Sequence, residues 1–346
     1  MKKRTLIIFC AALAATFNSQ AGGQTDRPAT TPIHAVIWDV TQDMRDLGTL
    51  GGDNSYGLGI NDRGVVVGYS YLADNVTFHA FLWSPSHGMV DIGATLPGAN
   101  ATWGVGINAS GNAAVTGFLS DGSALPAAFA LPGLWRHLPL GTDLLQSLNR
   151  SYGINDANQV TGQYLINNSK TGFLWDPAAS TITYVPSIGG YNTIGVAINN
   201  LAHITGAGSV YDQAYSIYDA LFWSADQGSR DIGTLNGSDF TAGGGINNND
   251  EVVGYNLPEL SGFYWSDATG MQPLQSLGGS VSAAFSITSS GVIAGYASFS
   301  GGTIHAVRWS HYTSAPEDLG TLTGSGNSYG KGINSSGQVV GYSEIP

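Results

Sequence analysis

The sequence predicts an all-β chain, a seven-bladed β-propeller of four-stranded antiparallel blades whose ring is closed by one composite blade from both termini. Three observations predict it. A unit recurs seven times, its Ile-Asn motif ending at Asn61, Asn108, Asn155, Asn199, Asn247, Thr288 (as Ile-Thr) and Asn334, spaced 41 to 48 residues apart. Each unit carries four short runs of β-branched and aromatic residues, and four strands at such a period is the pattern of propeller blades. Finally, DLGTLGGDNSYGLGINDRGVVVGYS from Asp46 and DLGTLTGSGNSYGKGINSSGQVVGYS from Asp318 say nearly the same thing near the two ends.

The chain opens with three positive charges, an apolar run from Leu6 to Phe17, and the small residues Ser19 and Ala21 at a cleavage position. That is the layout of a secretory leader over residues 1–21, and the run is too short to span a bilayer. The only cysteine, Cys10, leaves with the leader, so the mature chain has no cysteine chemistry. Residues 22–33 read as a linker and residues 34–346 as the repeat domain. Export, to the periplasm or the extracellular space, is the expected location, without membrane insertion once the leader is gone.

Cleavage leaves nine Lys and Arg against 24 carboxylates. Nucleic acid is therefore a poor partner, because binding its backbone requires positive charge. Apolar content of 42% with only a tenth of residues charged argues for a folded chain and against an acidic disordered tail.

Taken in order, the first strand of a unit is Gly-rich, as in SYGLGIN. The second is VVVGYS or a variant, the third HAFLW or a variant, and the fourth MVDIG or RDIGTL. Asn, Asp, Gly and Ser punctuate these runs, and no long glycine-free stripe of helical period interrupts them. Along the first strand small residues alternate with large ones: Gly57 and Gly59 with Tyr56 and Leu58, Gly104 and Gly106 with Trp103 and Val105. Alternation gives a pleated strand one bare and one bulky face, which suits the crowded axis, so this strand is placed innermost. The chain begins with an orphan third and fourth strand, HAVIW and MRDLG, and stops with an orphan first and second, SYGKGIN and QVVGYS. Joining them leaves no exposed sheet edge.

The set DLGTLGG, GIN-x-x-G-x-VVGYS and HAFLW resembles the HAF-repeat family of bacterial extracellular proteins, and the likeness runs over residues 34–346. The resemblance implies a secreted or surface-exposed repeat protein and carries no catalytic residues across. Two units depart from the pattern: the third has AAFALPG from Ala127 where Trp is expected, and the sixth has Thr288 for Asn.

Repeated residues answer a shared structural need. The Ile-Asn asparagines precede tight turns such as NDRG, where Asn bonds its own backbone. Trp38, Trp83, Trp175, Trp223, Trp265 and Trp309 read as core between blades. His34, His79 and His305 lie on third strands, about two strand spacings of ~4.8 Å out from the innermost strand. Zinc ligands must reach within about 2.1 Å of one ion, so no metal is assigned to them and no cofactor is predicted. The acidity permits weak Ca²⁺ binding without localising the several oxygen ligands it needs. Gly326-Asn327-Ser328-Tyr329-Gly330 matches a hydrolase nucleophile pattern, but it leads into a strand instead of a strand-to-helix elbow and reads as chance. Lys331 and Arg308 are charges where most copies are apolar, and snorkelling to water is the favoured reading.

Variation between copies concentrates after the second strand and before the first, two connections that share one face of a meander. Such a face is where repeat proteins bind. The longest of these loops holds Tyr211, Asp212 and Tyr215; others bring Tyr191, Asp239 and Phe240, while Trp103 and Arg150 stand at the axial mouth. Aromatic rings mixed with Asp and Asn suit a sugar, which stacks one face and hydrogen-bonds through its hydroxyls. The favoured reading is a binding module for extracellular glycan or a surface component. Two alternatives are a polysaccharide lyase or hydrolase using the same face or the axial channel, and a structural surface protein or adhesin.

Overall fold

The computed structural model describes residues 31–41, 43–130, 133–138, 149–167, 169–210 and 217–346. The expected leader and most of the expected linker lie outside them, as do Tyr211, Asp212 and Tyr215.

Twenty-eight strands account for the described fold. The first two are β1 (Ile33–Trp38) and β2 (Met44–Asp46). Six sets follow in chain order, beginning with β3 (Gly51–Ile60), β4 (Val66–Leu72), β5 (Phe78–Ser84) and β6 (Gly88–Asp91). Next come β7 (Ala101–Ile107), β8 (Ala113–Phe118), β9 (Ala124–Ala130) and β10 (Leu134–His137), then β11 (Arg150–Ile154), β12 (Val160–Ile166), β13 (Ser169–Asp176) and β14 (Thr181–Val185). After these stand β15 (Thr193–Ile198), β16 (Ile204–Ser209), β17 (Tyr218–Ser224) and β18 (Gly228–Gly233), followed by β19 (Phe240–Ile246), β20 (Val252–Leu257), β21 (Gly262–Ser266) and β22 (Gly270–Pro273). The last set is β23 (Gly278–Ile287), β24 (Ile293–Phe299), β25 (Ile304–Trp309) and β26 (Glu317–Asp318), and β27 (Ser328–Ile333) and β28 (Val339–Glu344) complete the chain. One 3₁₀ turn, Gly93–Thr95, is the single helical element among the described residues.

Within each set, consecutive strands pair antiparallel, so the architecture is all-β in four-stranded meanders. The irregular third unit is a complete one, and its register sets Phe129 opposite Ala113 where the preceding unit sets Trp83 opposite Val66. The orphan strands at the ends join: β28 pairs with β1 from Ile33↔Glu344 to Trp38↔Val339, giving a sheet β27-β28-β1-β2. The Ile345 N–H extends this clasp by donating to the Pro32 carbonyl at 2.8 Å. The first strands β3, β7, β11, β15, β19, β23 and β27 each touch the next, and β27 touches β3 again, so these strands line the inside.

The expectation of one bare and one bulky face on that inner strand fails for a definite reason. Every inner strand carries a bulge between its two small positions, as at Gly57/Gly59, Gly104/Gly106 and Gly330/Gly332. The extra residue reverses the pleat, so the two small residues meet opposite neighbours. A Cβ on Gly57 would lie 2.6 Å from Val340 Cγ2 of the preceding unit, and one on Gly59 would lie 2.9 Å from the Val105 carbonyl of the following unit. Small residues are required on both sides.

Hydrophobic burial supplies the rest of the packing. The six third-strand tryptophans are buried, with Trp38 and Trp309 fully enclosed, each in a cluster shared with an adjoining unit. Burial of an aromatic side chain of this size stabilises by roughly 1.5–3 kcal/mol.

Polar links tie the units together. Each Ile-Asn asparagine uses Oδ1 in its own turn, as the sequence implies; Asn61 Oδ1 accepts from Arg63 and Val65 N–H at 3.1 and 3.0 Å. Its Nδ2 does something the sequence did not announce, donating across to the carbonyl of the equivalent residue in the next unit. The relay runs Asn61 to Asn108, to Asn155, to Asn199, to Asn247, to Thr288, and from Asn334 back to Asn61, at 2.9 to 3.1 Å. Only the step from Thr288 to Asn334 is missing, because threonine has no amide to give. Near the opposite end of the inner strand a buried Ser or Thr staples neighbours: Ser328 Oγ accepts the Ala306 N–H and donates to the Gly320 carbonyl, as Ser55 does with Ala35 and Gly48. The hydrolase-like pattern is thus occupied by a fully buried structural hydroxyl.

Candidate functional site

The inner strands present residues to the enclosed space in layers. Two residues before the bulge position stand Tyr56, Trp103, Arg150 and Tyr329; at the bulge stand Leu58, Val105, Tyr152, Val196, Gly244, Phe285 and Lys331; beyond them is the asparagine relay. Tyr56, Trp103, Tyr329, Leu58, Val105, Val196, Phe285 and Lys331 keep partial exposure although they sit on the innermost strands, so water reaches the space they border.

Aromatic rings from these strands and from the VVGY tyrosines behind them form one continuous arc. Tyr152 meets Trp103 edge-on at 6.1 Å, Trp103 meets Tyr69 at 6.4 Å, and Tyr69 stacks on Tyr56 at 4.7 Å. The arc continues through Tyr342, Tyr329 and Tyr296 at 5.0 to 5.1 Å, and ends at Phe285 and Tyr255, each step 5.5 Å. Edge-to-face and offset pairs of this kind contribute roughly 0.5–1.5 kcal/mol each beyond burial. Burial pushes the phenols of Tyr56, Tyr296, Tyr329 and Tyr342 upward, so they remain protonated hydrogen-bond donors at any ordinary pH.

Lys331 does not snorkel. Its Nζ lies 3.7 Å from the Phe285 ring centroid, 5.4 Å from that of Tyr296 and 5.8 Å from that of Tyr342. The residue keeps partial exposure, but its ammonium is walled by these rings, and this desolvation lowers its pKa to about 7. No carboxylate among the described residues pairs with it. Arg308, by contrast, is pinned by Glu317 at 2.7 Å and by the Gly337 carbonyl at 2.7 Å.

Of the residues singled out in the sequence, Trp103 and Arg150 come together on adjoining inner strands, and the Arg150 guanidinium lies 4.8 Å over the Phe118 ring. Burial lowers the Arg150 pKa. Phe240 packs on Tyr218 at 5.6 Å at the start of β19, beside exposed Asp239, whose carbonyl accepts the Tyr218 N–H. Tyr191 is 65% exposed in the connection before β15. The connections before the first and after the second strand do share a face, as the Ser238–Glu259 contact at 3.5 Å shows. A separate cavity of about 290 Å³, lined by Asn112, Arg136, Asn158 and Trp175 among others, opens on the opposite side at the short turns.

Sequence reasoning missed two features. His34, His79 and His305 each bring Nδ1 to 2.8 Å from an aspartate across the third and fourth strands, Asp46, Asp91 and Asp318. The signal was their co-occurrence within one unit. In the fifth unit the histidine position is Asp219, opposite Asp231 by the same register. Desolvation, then repulsion from Asp231, raises the Asp219 pKa to about 6. Among the described residues no three His, Cys, Asp or Glu side chains gather to hold a metal ion.

No family model matches the chain, and no curated protein matches it. Among solved structures it is similar to a streptogramin B lyase, 10% identical with a TM-score of 0.53, covering 90% of this chain and 98% of that one. It is also similar to a catalytically inactive virginiamycin B lyase from Staphylococcus aureus with quinupristin, 10% identical with a TM-score of 0.52, covering 86% and 98%. At such identity the likeness concerns the fold, which is propeller-like.

Proposed function

We propose that the chain is a secreted, seven-bladed propeller of the HAF-repeat type that acts as a binding module and takes its ligand at its axial mouth. The count of seven is supported by the seven inner strands that touch in a closed cycle, each heading a four-stranded meander, with the two termini sharing one of them. The observation that carries binding is the aromatic arc: Tyr56, Trp103 and Tyr329 are partly exposed rings beside protonated phenols and the Arg150 cation. Rings that stack and hydroxyls that donate are the means by which a protein holds a sugar. Tyr211, Asp212 and Tyr215, with Tyr191, Asp239 and Phe240, are proposed as the rim of the same face.

A glycan array probed with the purified protein and with Trp103→Ala tests this. Selective binding that Trp103→Ala weakens at least tenfold, with unchanged thermal unfolding, is the expected outcome. Binding untouched by that change, or no binding by folded protein, overturns the reading.

A further inference from the structure

The bulge positions hold Leu58, Val105, Tyr152, Val196, Gly244, Phe285 and Lys331, and six of the seven are uncharged. The fold therefore asks for no charge there, and the one it receives is expensive. A desolvated ammonium is destabilising unless paired. The Phe285, Tyr296 and Tyr342 faces offset part of this cost through their quadrupoles, but they leave the charge uncompensated. The other positively charged side chains near a carboxylate, Arg230 and Arg308, have taken it, at Asp267 and Glu317. The titratable groups facing Lys331 are the phenols of Tyr296 on β24, Tyr342 on β28 and, along the arc, Tyr329 on β27 and Tyr56 on β3, all protonated donors. An ammonium walled by aromatic rings, without a carboxylate partner and on a residue that keeps partial exposure to the enclosed space, is a charge in want of an anion.

We propose that Lys331 is the seat for an anionic substituent, a carboxylate or sulfate, of a ligand that enters past Tyr56, Trp103 and Tyr329. This rests on the proposed mouth for the route of entry and adds the charge of the ligand. The lowered pKa gives the proposal a signature: a ligand that needs the ammonium form binds about tenfold more weakly at pH 8 than at pH 6 when the free amine titrates near 7.

The experiment follows the ¹³Cε resonance of Lys331 in lysine-labelled protein, with Lys170 as the internal control, in titrations with glucuronate, glucose and sodium sulfate at pH 6, 7 and 8. The expected result is a Lys331 resonance that responds to glucuronate or sulfate and not to glucose, with the tenfold loss from pH 6 to 8. Lys331→Met abolishes the gain of glucuronate over glucose, and Lys331→Arg keeps it without the pH slope. Response to glucuronate alone assigns a carboxylate, and response to both assigns any compact anion. A Lys331 resonance unmoved by either anion, or a glucuronate affinity unchanged in Lys331→Met, overturns the proposal. Neutral glycans bound through Trp103 with no gain from the acid would sink the anion seat while the binding module stands. Sulfate moving the amine with no glycan bound would do the reverse.

Discussion

Replacing Asp219 with asparagine should stabilise the protein at neutral pH and leave it unchanged in acid. Three units place a histidine opposite the aspartate of the fourth strand, and the fifth places Asp219 opposite Asp231, with one Asp219 oxygen buried. Its folded pKa of about 6 lies above the ordinary 3.8. A raised carboxyl favours folding only while protonated, so its contribution is present below about pH 4 and is lost as pH rises through 6. Fully shielded, that difference would oppose folding by about 3 kcal/mol at pH 7; the pair is half-open to water, and screening leaves about 1 kcal/mol. In a domain of this size that is about 2 °C in Tm. Scanning calorimetry of wild type and Asp219→Asn at pH 4, 5, 6, 7 and 8 should show coincident Tm values at pH 4 and a gap opening to about 2 °C by pH 7. Asp219→His, which recreates the pair of the other units, should match or exceed the asparagine variant at pH 7. A gap independent of pH, or an asparagine variant less stable than wild type at pH 7, would refute the assignment of a repulsive carboxyl pair.

Other substitutions test the links between units. Thr288→Asn supplies the missing amide toward the Asn334 carbonyl and should add about 0.5–1 kcal/mol in urea unfolding. Asn108→Ala removes the donor to Asn155 and the acceptor for Asn112 at a buried site, and should cost about 2–3 kcal/mol by the same measurement. Ser328→Ala breaks the staple between Ala306 and Gly320, so it should lower stability by about 1–2 kcal/mol and leave glycan-array binding unaltered, where a nucleophile would show as lost turnover. Trp309→Ala empties a fully buried position and should cost about 3–5 kcal/mol.

Most of the architecture could be read from the chain, because a repeat exposes its own grammar. The four runs of each unit became strands in the expected order, the Trp column became core, and the orphan runs at Ile33–Trp38 and Val339–Glu344 found each other. The bulge could not be read. Gly57 and Gly59 two positions apart spell an ordinary pleat, and the inserted turn of Leu58 arises only when neighbouring units crowd both sides. That single error hid the axial layer, and with it the meaning of Lys331, whose aromatic companions come from β23, β24 and β28 across two units. Trp103 and Arg150 could be placed on adjoining inner strands from the sequence because each stands at the same distance before its Ile-Asn motif. Asp219 was legible only against His79 and its partner Asp91, a pairing that needs the register of two strands to appear.

The clasp between β1 and β28 bears on how the molecule comes into being. The residues that pair, Ile33 with Glu344, are separated by nearly the whole chain. Each interior meander can form from local contacts soon after its residues are made. The closing sheet cannot, because among the twenty-eight strands its inner pair is synthesised last and its outer pair first. Closing so long a loop is the slow class of folding event. Until it happens, β1 is an unpaired edge and the chain an open arc, the form most exposed to wrong pairing with another copy. Commitment to the native state therefore comes at a single late moment, when the oldest strand meets the youngest.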